Sequence, residues 1–400
     1  MAQAFTKITD PGFAEPHSGL RDQLLNAVAD IAPCLEANRL PMEAQRGPTA
    51  EVVSAMRQAG LLDLRVPAAL DGYEADLTLY GDVTEQVAYH NFAAGWCLML
   101  YADNAGVAGA NLLPEGLRIL MPDGRMPPIC GGGGGRIGEL VAVEGGYRAT
   151  GHWTYGSGIP QAEWTLVMAA EQPEDGAPPV PRMIFLPTRA LEIEDNWHVL
   201  GLKGSGSSDF RAKDVFVPEE LCFPVGQAPR RGGPLYKLGF LGFLSLCIPP
   251  LMIGLGQRVL DDMAKLAASK VRGHAKKTPL AYRGVFQSFL GEADIRLKAV
   301  RALSRATGDR LVRDIAATGK SSPENEVEAR AVGAYCARQV VSIVTDVVGY
   351  AGGEGIQAGH RFEMALRDAN AAVTHIILNN SAYENHAEFM MQLPDASVSF

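Results

Sequence analysis

Residues 197–220, WHVLGLKGSGSSDFRAKDVFVPEE, join a loop of small residues to a strand, and the interpretation of the whole chain starts from them. Residues 203–208 offer backbone N–H groups and hydroxyls without bulky side chains, which suits a loop that contacts a phosphate or an oxygen-rich ring. Residues 209–217 alternate between apolar and polar and therefore predict a strand, which Pro218 ends. A Gly/Ser loop alone is more often an ordinary surface loop, so a second signal is needed.

Residues 151–170, GHWTYGSGIPQAEWTLVMAA, supply the second signal. They place Ser157 and Gly158 beside aromatic residues, and the chain then enters an apolar strand. The two segments, their spacing and the closing DVFVPEE sequence resemble the central β-domain of the acyl-CoA dehydrogenase superfamily. In that superfamily the first of these loops faces the flavin ring and the second reaches the flavin phosphates.

The predicted elements run in the order helices, strands, helices. Residues 18–65 and 77–112 carry apolar residues at helical spacing, residues 136–225 contain short alternating strands, and helical spacing returns from residue 235. We therefore predict a multi-domain α+β protein. It has an N-terminal helical domain (1–125), a central β-barrel-like domain (126–230) and a C-terminal four-helix bundle (231–400), which is the architecture of the superfamily. The lack of strand–helix alternation disfavours a Rossmann unit.

Composition narrows the class of protein. The 400 residues are 47% hydrophobic and 20% charged, which indicates a globular protein of two or three domains. Lys and Arg total 36 against 45 Asp and Glu, and the net charge of −9 disfavours nucleic acid or an anionic membrane as a partner. Six cysteines without a CxxC pair argue against a metal site or a disulfide framework and fit a reducing cytoplasm.

Two further stretches bear on location. The first residues, MAQAFTKITDPGF, lack the apolar core of a secretion signal, so we expect a cytoplasmic protein. Residues 238–255 are apolar enough to imitate a membrane span. Pro249 and Pro250 interrupt them, and we predict a buried helix entered at these prolines.

The last part of the chain distinguishes between branches of the superfamily. Residues 361–376 read RFEMALRDANAAVTHI, and Arg367 and Asp368 match an Arg-Asp pair of the dehydrogenases. There a Tyr-Glu-Gly-Thr motif follows, whose glutamate removes the α-proton of an acyl-CoA. This chain has Ile376 at that position, preceded by His375, and isoleucine cannot accept a proton. An acyl-CoA dehydrogenase or oxidase with a base relocated to an earlier helix remains the alternative.

The pattern RD-x-x-A-A-x-T-H instead resembles the two-component flavin-dependent monooxygenases of this fold. They include phenol, p-hydroxyphenylacetate and steroid-phenol hydroxylases and dibenzothiophene and indole oxygenases. Ser157 and the AGWC sequence at residues 94–97 match the same group. The resemblance implies reduced FMN or FAD from a separate flavin reductase, for which free diffusion of the flavin is one route. It also implies that O2 adds at the flavin C4a, and that the hydroperoxide transfers one oxygen atom to a small aromatic or heteroaromatic substrate.

The resemblance also assigns roles to residues. Ser157 is expected to hydrogen-bond the flavin N5. His375 is expected to deprotonate a phenol or NH substrate or to assist proton delivery, since histidine titrates at about 6.5 when unperturbed. Contacts to the flavin are expected from Trp153, Tyr155, Ser157, Ser205, Ser207, Arg272, Gln287, Gly352 and Gly353. Contacts to the substrate are expected from one helix, through Cys97, Tyr101, Asp103 and Asn104.

The resemblance also bears on the substrate, on the oligomeric state and on whether the protein is catalytic. Asp103 and Asn104 stand where some relatives carry a pocket histidine, so the identity of the substrate stays open. Arg272 and Gln287 resemble residues that reach the flavin of a neighbouring subunit, which implies a homotetramer. A non-catalytic scaffold protein of the same fold is disfavoured by the retained Ser157 and His375.

Overall fold

In a computed structural model, the chain forms helices, then a sheet, then helices, in the predicted order. The structure describes residues 18–132, 137–171, 178–238, 240–271 and 278–398. The helices are α1 (Ser18–Ala37), α2 (Arg39–Gln45), α3 (Ala50–Gln58), α4 (Leu77–His90), α5 (Phe92–Asn111), α6 (Pro114–Leu120), α7 (Phe240–Ala267), α8 (Gly284–Thr318), α9 (Pro323–Ala351), α10 (Arg361–Ala372) and α11 (Ser381–Met390). The strands are β1 (Ile129–Gly131), β2 (Gly138–Val143), β3 (Gly146–Gly156), β4 (Trp164–Glu171), β5 (Val180–Pro187), β6 (Glu192–Ile193), β7 (Ser208–Pro218) and β8 (Cys222–Pro224).

Side-chain caps fix where three N-terminal helices begin. Thr49 accepts a hydrogen bond from the Val52 N–H at the start of α3, and Asp76 caps α4 in the same way. Asn91 ends α4 and also caps α5, because its side chain accepts from the Ala94 N–H. Each such cap is worth about 1 kcal/mol. The residue at which α5 begins is therefore fixed by the Asn91 side chain next to it.

The central sheet brings together the two segments that the sequence singles out. Within the described residues its strand order is β6-β7-β3-β2-β4-β5-β8, with β1 beside β4. The antiparallel β3–β7 pair places Trp153 opposite Phe210 and Gly156 opposite Ser208. Since β3 ends where β7 begins, the first loop (residues 154–158) and the second loop (residues 203–207) lie side by side. Closure of the sheet into a barrel remains a prediction.

Helices α7 and α9 form the centre of the C-terminal part. Both are long and apolar enough to cross a membrane, but 72% of the tested window in Gly242–Ala267 and 56% of that in Pro323–Glu354 are buried inside the protein. The buried helix that the sequence predicts is thus confirmed for α7. Its predicted start is wrong, because Pro249 and Pro250 lie inside a helix that begins at Phe240. Close packing compensates for the hydrogen bonds that the prolines remove, since Pro250 lies directly against Gly81 of α4.

The contact between α4 and α7 depends on a glycine. A Cβ on Gly254 would lie 2.2 Å from the Glu85 carbonyl oxygen, which belongs to rigid helix backbone. We expect Gly254→Ala to push the helices apart and to lower the free energy of unfolding by about 1–3 kcal/mol. Chemical denaturation measures the change.

Gly291 in α8 provides the matched control, because a Cβ there would meet nothing within 4 Å. Gly291→Ala should leave stability unchanged or raise it by up to about 1 kcal/mol through helix propensity. Equal stability of the Gly254 and Gly291 variants would contradict the described helix contact.

Candidate functional site

A chain of hydrogen bonds joins α5, the first loop and the second loop. The Trp96 indole Nε1 donates to the Ser157 Oγ at 3.2 Å. The Oγ atoms of Ser157 and Ser207 are 2.7 Å apart, and those of Ser207 and Ser205 are also 2.7 Å apart. The Ser205 hydroxyl donates to the Leu202 carbonyl oxygen at 2.8 Å. All three serines are buried, so this hydroxyl chain is shielded from solvent.

Helix α5 holds the same loops through two of the residues expected to contact substrate, and strand β1 through a third. The Tyr101 hydroxyl donates to the Gly158 carbonyl oxygen at 2.6 Å, and the Cys97 thiol donates to the Ser205 carbonyl oxygen. The Asn104 amide donates to the Ile129 carbonyl oxygen of β1 at 3.1 Å. These groups already have protein partners, and burial raises the pKa of both Cys97 and Tyr101. Their described role is to fix the loops.

Asp103, the fourth of these residues, lies beside Arg65, Tyr80 and Cys247. Its carboxyl is buried, and neither oxygen has a hydrogen-bond partner among the residues that the structure describes. Arg65 is also buried, with Nε and Nη1 equally without a partner there, and it stacks 4.1 Å from the Phe243 ring centroid. Burial raises the pKa of Asp103 to about 6. The helical layer thus contains an acidic and a basic group with unused hydrogen-bonding capacity.

His375 lies beside the hydroxyl chain. Its ring meets the Trp96 indole edge to face at 5.9 Å between centroids. Its Nδ1 accepts a hydrogen bond from the Ile377 N–H at 3.3 Å, so the neutral ring carries its proton on Nε2. Burial lowers the pKa of His375 to about 4. The expectation of an ordinary histidine pKa is therefore wrong, because the largely apolar surroundings disfavour the imidazolium.

Ile376 occupies the position where the dehydrogenase glutamate would stand. Its side chain is 53% exposed, so it does not enter the buried cluster beside Trp96. The neighbouring imidazole does enter that cluster. The hydrogen-bonding group of this segment is thus a neutral Nε2–H donor.

Arg330 of α9 holds the segment that carries His375, and nothing in the sequence had marked it. It is buried and donates hydrogen bonds to the carbonyl oxygens of Ile376 and Ile377 and to the side chains of Asn379, Ser381 and Asn385. The only hint is an arginine on a helix face that is otherwise apolar. A buried guanidinium with this many charge-assisted bonds fixes the connection between α10 and α11.

Arg367 and Asp368 hold the entry of the second loop. Leu202 has a left-handed backbone with φ of 55°, which is unfavourable for a residue with a side chain. The Asp368 carboxylate accepts from the Leu202 N–H at 2.7 Å, and Arg367 donates to the Leu200 carbonyl oxygen at 2.8 Å. Burial raises the pKa of Asp368 to about 6. The Arg-Asp pair therefore stabilises a strained loop, and Asp368 is already engaged by that backbone.

The two aromatic residues expected at the flavin have different surroundings. Trp153 is fully buried in the sheet, where its Nε1 donates to the Met168 carbonyl oxygen at 3.0 Å and its ring stacks on Phe210. Tyr155 is 63% exposed, has a φ of 63° and stands edge to face with Trp197. Of the two, Tyr155 offers its ring to a ligand.

The remaining residues expected at the flavin are far along the chain from the loops. Gln287 is exposed near the start of α8 and donates to the Ala281 carbonyl oxygen. Gly352 and Gly353 follow α9, where Gly352 has a φ of 64°. Arg272 lies outside the described residues.

The groups at the loops fit a flavin. Ser157 is buried, and its hydroxyl keeps one hydrogen-bonding position beyond the bonds it makes to Trp96 and Ser207, at which it can accept. His375 keeps an Nε2–H for which no described residue is an acceptor. Tyr155 adds an exposed aromatic face. A flavin ring and a polar substrate need an acceptor, a donor and an apolar wall of this kind.

We expect Arg330→Met to leave several buried acceptors without donors, each at a cost of about 1–3 kcal/mol. Thermal denaturation should show a fall in Tm, and Arg338→Met is the matched control because Arg338 is exposed on the same helix with one described bond, to Asn380. A variant at position 330 as stable as the control would contradict the described network.

His375 should remain neutral on its Nε2–H tautomer from about pH 5 to pH 8. The unfolded chain binds this proton near pH 6.5 and the folded chain only near pH 4, so acid should weaken folding through this group. Two-dimensional NMR of ¹⁵N-histidine reports both tautomer and titration. An imidazolium signal for His375 at pH 6 would contradict the prediction.

Comparison with known proteins identifies similar sequences and structures. Residues 246–380 match the family described as "Acyl-CoA dehydrogenase, C-terminal domain". A pigment production hydroxylase of Rhodococcus sp. is 25% identical over 94% of this chain and 97% of its own length. The oxygenase component of the FADH2-dependent resorcinol hydroxylase of Rhizobium sp. is 24% identical over 92% and 93%.

Solved structures show the same fold. XiaF from Streptomyces sp. superimposes with a TM-score of 0.86 at 21% identity, over 96% of this chain and 98% of its own. Dibenzothiophene monooxygenase TdsC from Paenibacillus sp. A11-2 gives a TM-score of 0.78 at 16% identity, over 94% and 99%. The chain therefore has the acyl-CoA dehydrogenase fold, and its sequence is similar to those of proteins named as hydroxylases, one of them an oxygenase component.

Proposed function

We propose that this protein is the oxygenase component of a two-component monooxygenase that transfers one atom of O2 to a small aromatic or heteroaromatic substrate. The observation that carries the proposal is the cluster of Ser157, Trp96 and His375 at the two loops. It offers a hydrogen-bond acceptor and a neutral donor, and Ile376 stands where a dehydrogenase has its base. The named activities of the relatives support the same class of reaction.

The cofactor is reduced FMN or FAD, with O2 as co-substrate and a separate flavin reductase as source of electrons. One relative is named FADH2-dependent, XiaF is described in complex with FADH2, and TdsC is described in complex with FMN and indole. When bound, a reduced flavin supplies the two electrons that activate O2. The residues of this chain supply orientation, a dry environment and the placement of protons.

Ser157 and His375 have complementary roles in this proposal. Ser157 would hydrogen-bond the flavin N5, with its Oγ held in place by Trp96 and Ser207. His375 donates from Nε2 to an oxygen atom of the substrate or of the activated flavin, because its low pKa keeps it neutral. This replaces the general-base role, since Nδ1 is occupied by the Ile377 N–H.

Asp103 and Arg65 are the proposed polar contacts for the far end of the substrate. Asp103 follows Trp96 by seven residues on α5, so both side chains leave the helix on the same side. Asp103 and Arg65 are buried close enough to interact as opposite charges, and buried groups of this kind are often found where a ligand uses them. The substrate we infer therefore carries a hydrogen-bonding group opposite to the site of oxygen transfer.

The domain boundaries at 125 and 230, the cytoplasmic location and the homotetramer are part of the same proposal. Tyr282 and Val285 are 74% and 75% exposed beside Gln287, which supports burial of this surface by a second copy. In such an assembly Arg272, Gln287, Gly352 and Gly353 would reach a flavin of the neighbouring subunit, with Trp153 and Tyr155 at the flavin of their own.

The proposal is tested by supplying the pure protein with a flavin reductase, NADH, flavin and a panel of phenols, indoles and thiophenes. Oxygen consumption and a hydroxylated product should require both the reductase and the oxygenase. An acyl-CoA dehydrogenase would instead purify yellow and bleach with an acyl-CoA under anaerobic conditions. Bleaching without any oxygenated product would overturn the proposal.

Two variants refine this test. His375→Ala should keep flavin binding and lower hydroxylation by about 100-fold or more, the scale of a lost hydrogen-bond donor at a developing charge. His386→Ala on α11 is the matched control and should retain activity. Ser157→Ala should release more hydrogen peroxide per NADH consumed, and unchanged coupling would remove Ser157 from the flavin N5.

A further inference from the structure

One peptide group lies between the Arg330 guanidinium and the His375 ring. The Ile376 carbonyl oxygen accepts a hydrogen bond from the Arg330 Nη2 at 3.3 Å. The N–H of the same peptide, which belongs to Ile377, donates to the His375 Nδ1 at 3.3 Å. The C=O and N–H of a trans peptide point in opposite directions, so the guanidinium and the imidazole bind opposite sides of this group.

Arg330 holds this peptide rigidly. Its Nε donates to the Ile377 carbonyl oxygen at 3.1 Å, so one planar guanidinium binds two successive carbonyls. Its Nη1 donates to the Asn385 side chain at 2.7 Å, and its Nη2 donates to those of Asn379 and Ser381 at 2.8 Å. Arg330 is 0% exposed, and these acceptors are neutral. A rotated peptide would therefore leave buried donors without acceptors.

We propose that Arg330 is a positioning residue for His375, because it fixes the peptide N–H that occupies Nδ1 and thereby the tautomer that presents Nε2–H to the site. The inference rests on the proposed function, in which His375 donates from Nε2. The nitrogen of a neutral histidine that carries the proton is set by the hydrogen bond that the other nitrogen makes. A fixed donor at Nδ1 excludes a proton there.

The charge of Arg330 acts in the same direction. A guanidinium stays protonated at any physiological pH, and its hydrogen bond to the Ile376 carbonyl oxygen polarises the whole peptide. Bonds in such a chain strengthen one another by roughly 10–30%. The Ile377 N–H thus becomes a better donor to Nδ1, and the Nε2–H of His375 becomes a better donor to an oxygen atom. Arg330 contributes to the reaction through His375.

The first test observes the His375 ring at pH 7 by two-dimensional NMR of ¹⁵N-histidine. The signal is assigned by its absence from the spectrum of His375→Ala. Wild-type protein should show the Nε2–H tautomer alone, whereas Arg330→Met should show both neutral tautomers. Arg338→Met, on the same helix but exposed, should keep the wild-type signals.

Arg330→Lys is a second variant, which keeps a cation and a hydrogen-bond donor in the buried space and is expected to fold. An ammonium cannot form the planar fork that binds two successive carbonyls. The His375 signals should therefore still shift, by less than in Arg330→Met. Wild-type His375 signals in the Arg330 variants would overturn the inference.

A double-mutant cycle separates this role from a general loss of structure. With substrate and reduced flavin saturating, and well below the Tm of each variant, Arg330→Met should lower kcat about tenfold, the scale of one hydrogen bond. The KM for flavin should stay unchanged. In a His375→Ala background, adding Arg330→Met should change the rate by less than about twofold, because the residue through which it acts is gone. A tenfold loss in both backgrounds would show a structural role alone.

The outcomes distinguish this inference from the proposed function. If wild-type protein oxygenates no compound of the panel, the proposed function fails, and the tautomer of His375 in the Arg330 variants still decides whether Arg330 sets it. If wild-type protein oxygenates a substrate while His375 keeps its tautomer in the Arg330 variants, only the present inference fails.

Discussion

The three serine hydroxyls between Trp96 and Leu202 connect every part of the site. They join a helix of the N-terminal part to two loops of the sheet, and they end on Leu202, a residue of the second segment with a left-handed backbone. Because the serines are buried, these hydrogen bonds hold the two loops in place without competition from water. The chemistry that the site can perform depends on the position of these hydroxyls.

Burial gives the same site its electrostatic character. Burial lowers the pKa of His375 to about 4 and raises the pKa of Asp103 to about 6, since it disfavours the charged form of each group. Dehydrogenation of an acyl-CoA needs a base that removes a carbon-bound proton. The residue that matches this base in the sequence is Ile376, which cannot accept a proton. The neutral Nε2–H of His375, the Ser157 hydroxyl and the exclusion of water from the site instead suit oxygen transfer that uses a reduced flavin.

Much of the fold follows from the sequence alone. Periodicity places α5, β7 and the C-terminal helices, and the two glycine-serine loops meet because β3 and β7 pair. The chain of serine hydroxyls could not be predicted from the sequence. Trp96 and Ser157 are 61 residues apart, and no sequence pattern indicates which serine side chains are in contact. Arg330 was missed because its partners lie 46 to 55 residues away. The depressed pKa of His375 and the prolines within α7 depend on packing, which periodicity does not describe.

The central claim is that the flavin binds with its N5 beside Ser157. A crystal structure of the protein soaked with reduced flavin in the absence of oxygen tests this claim most directly. The account predicts N5 within about 3 Å of the Ser157 Oγ, with the His375 ring on the substrate side of the flavin. A flavin bound away from both residues, or an aspartate or glutamate carboxylate placed over its ring, would contradict the account.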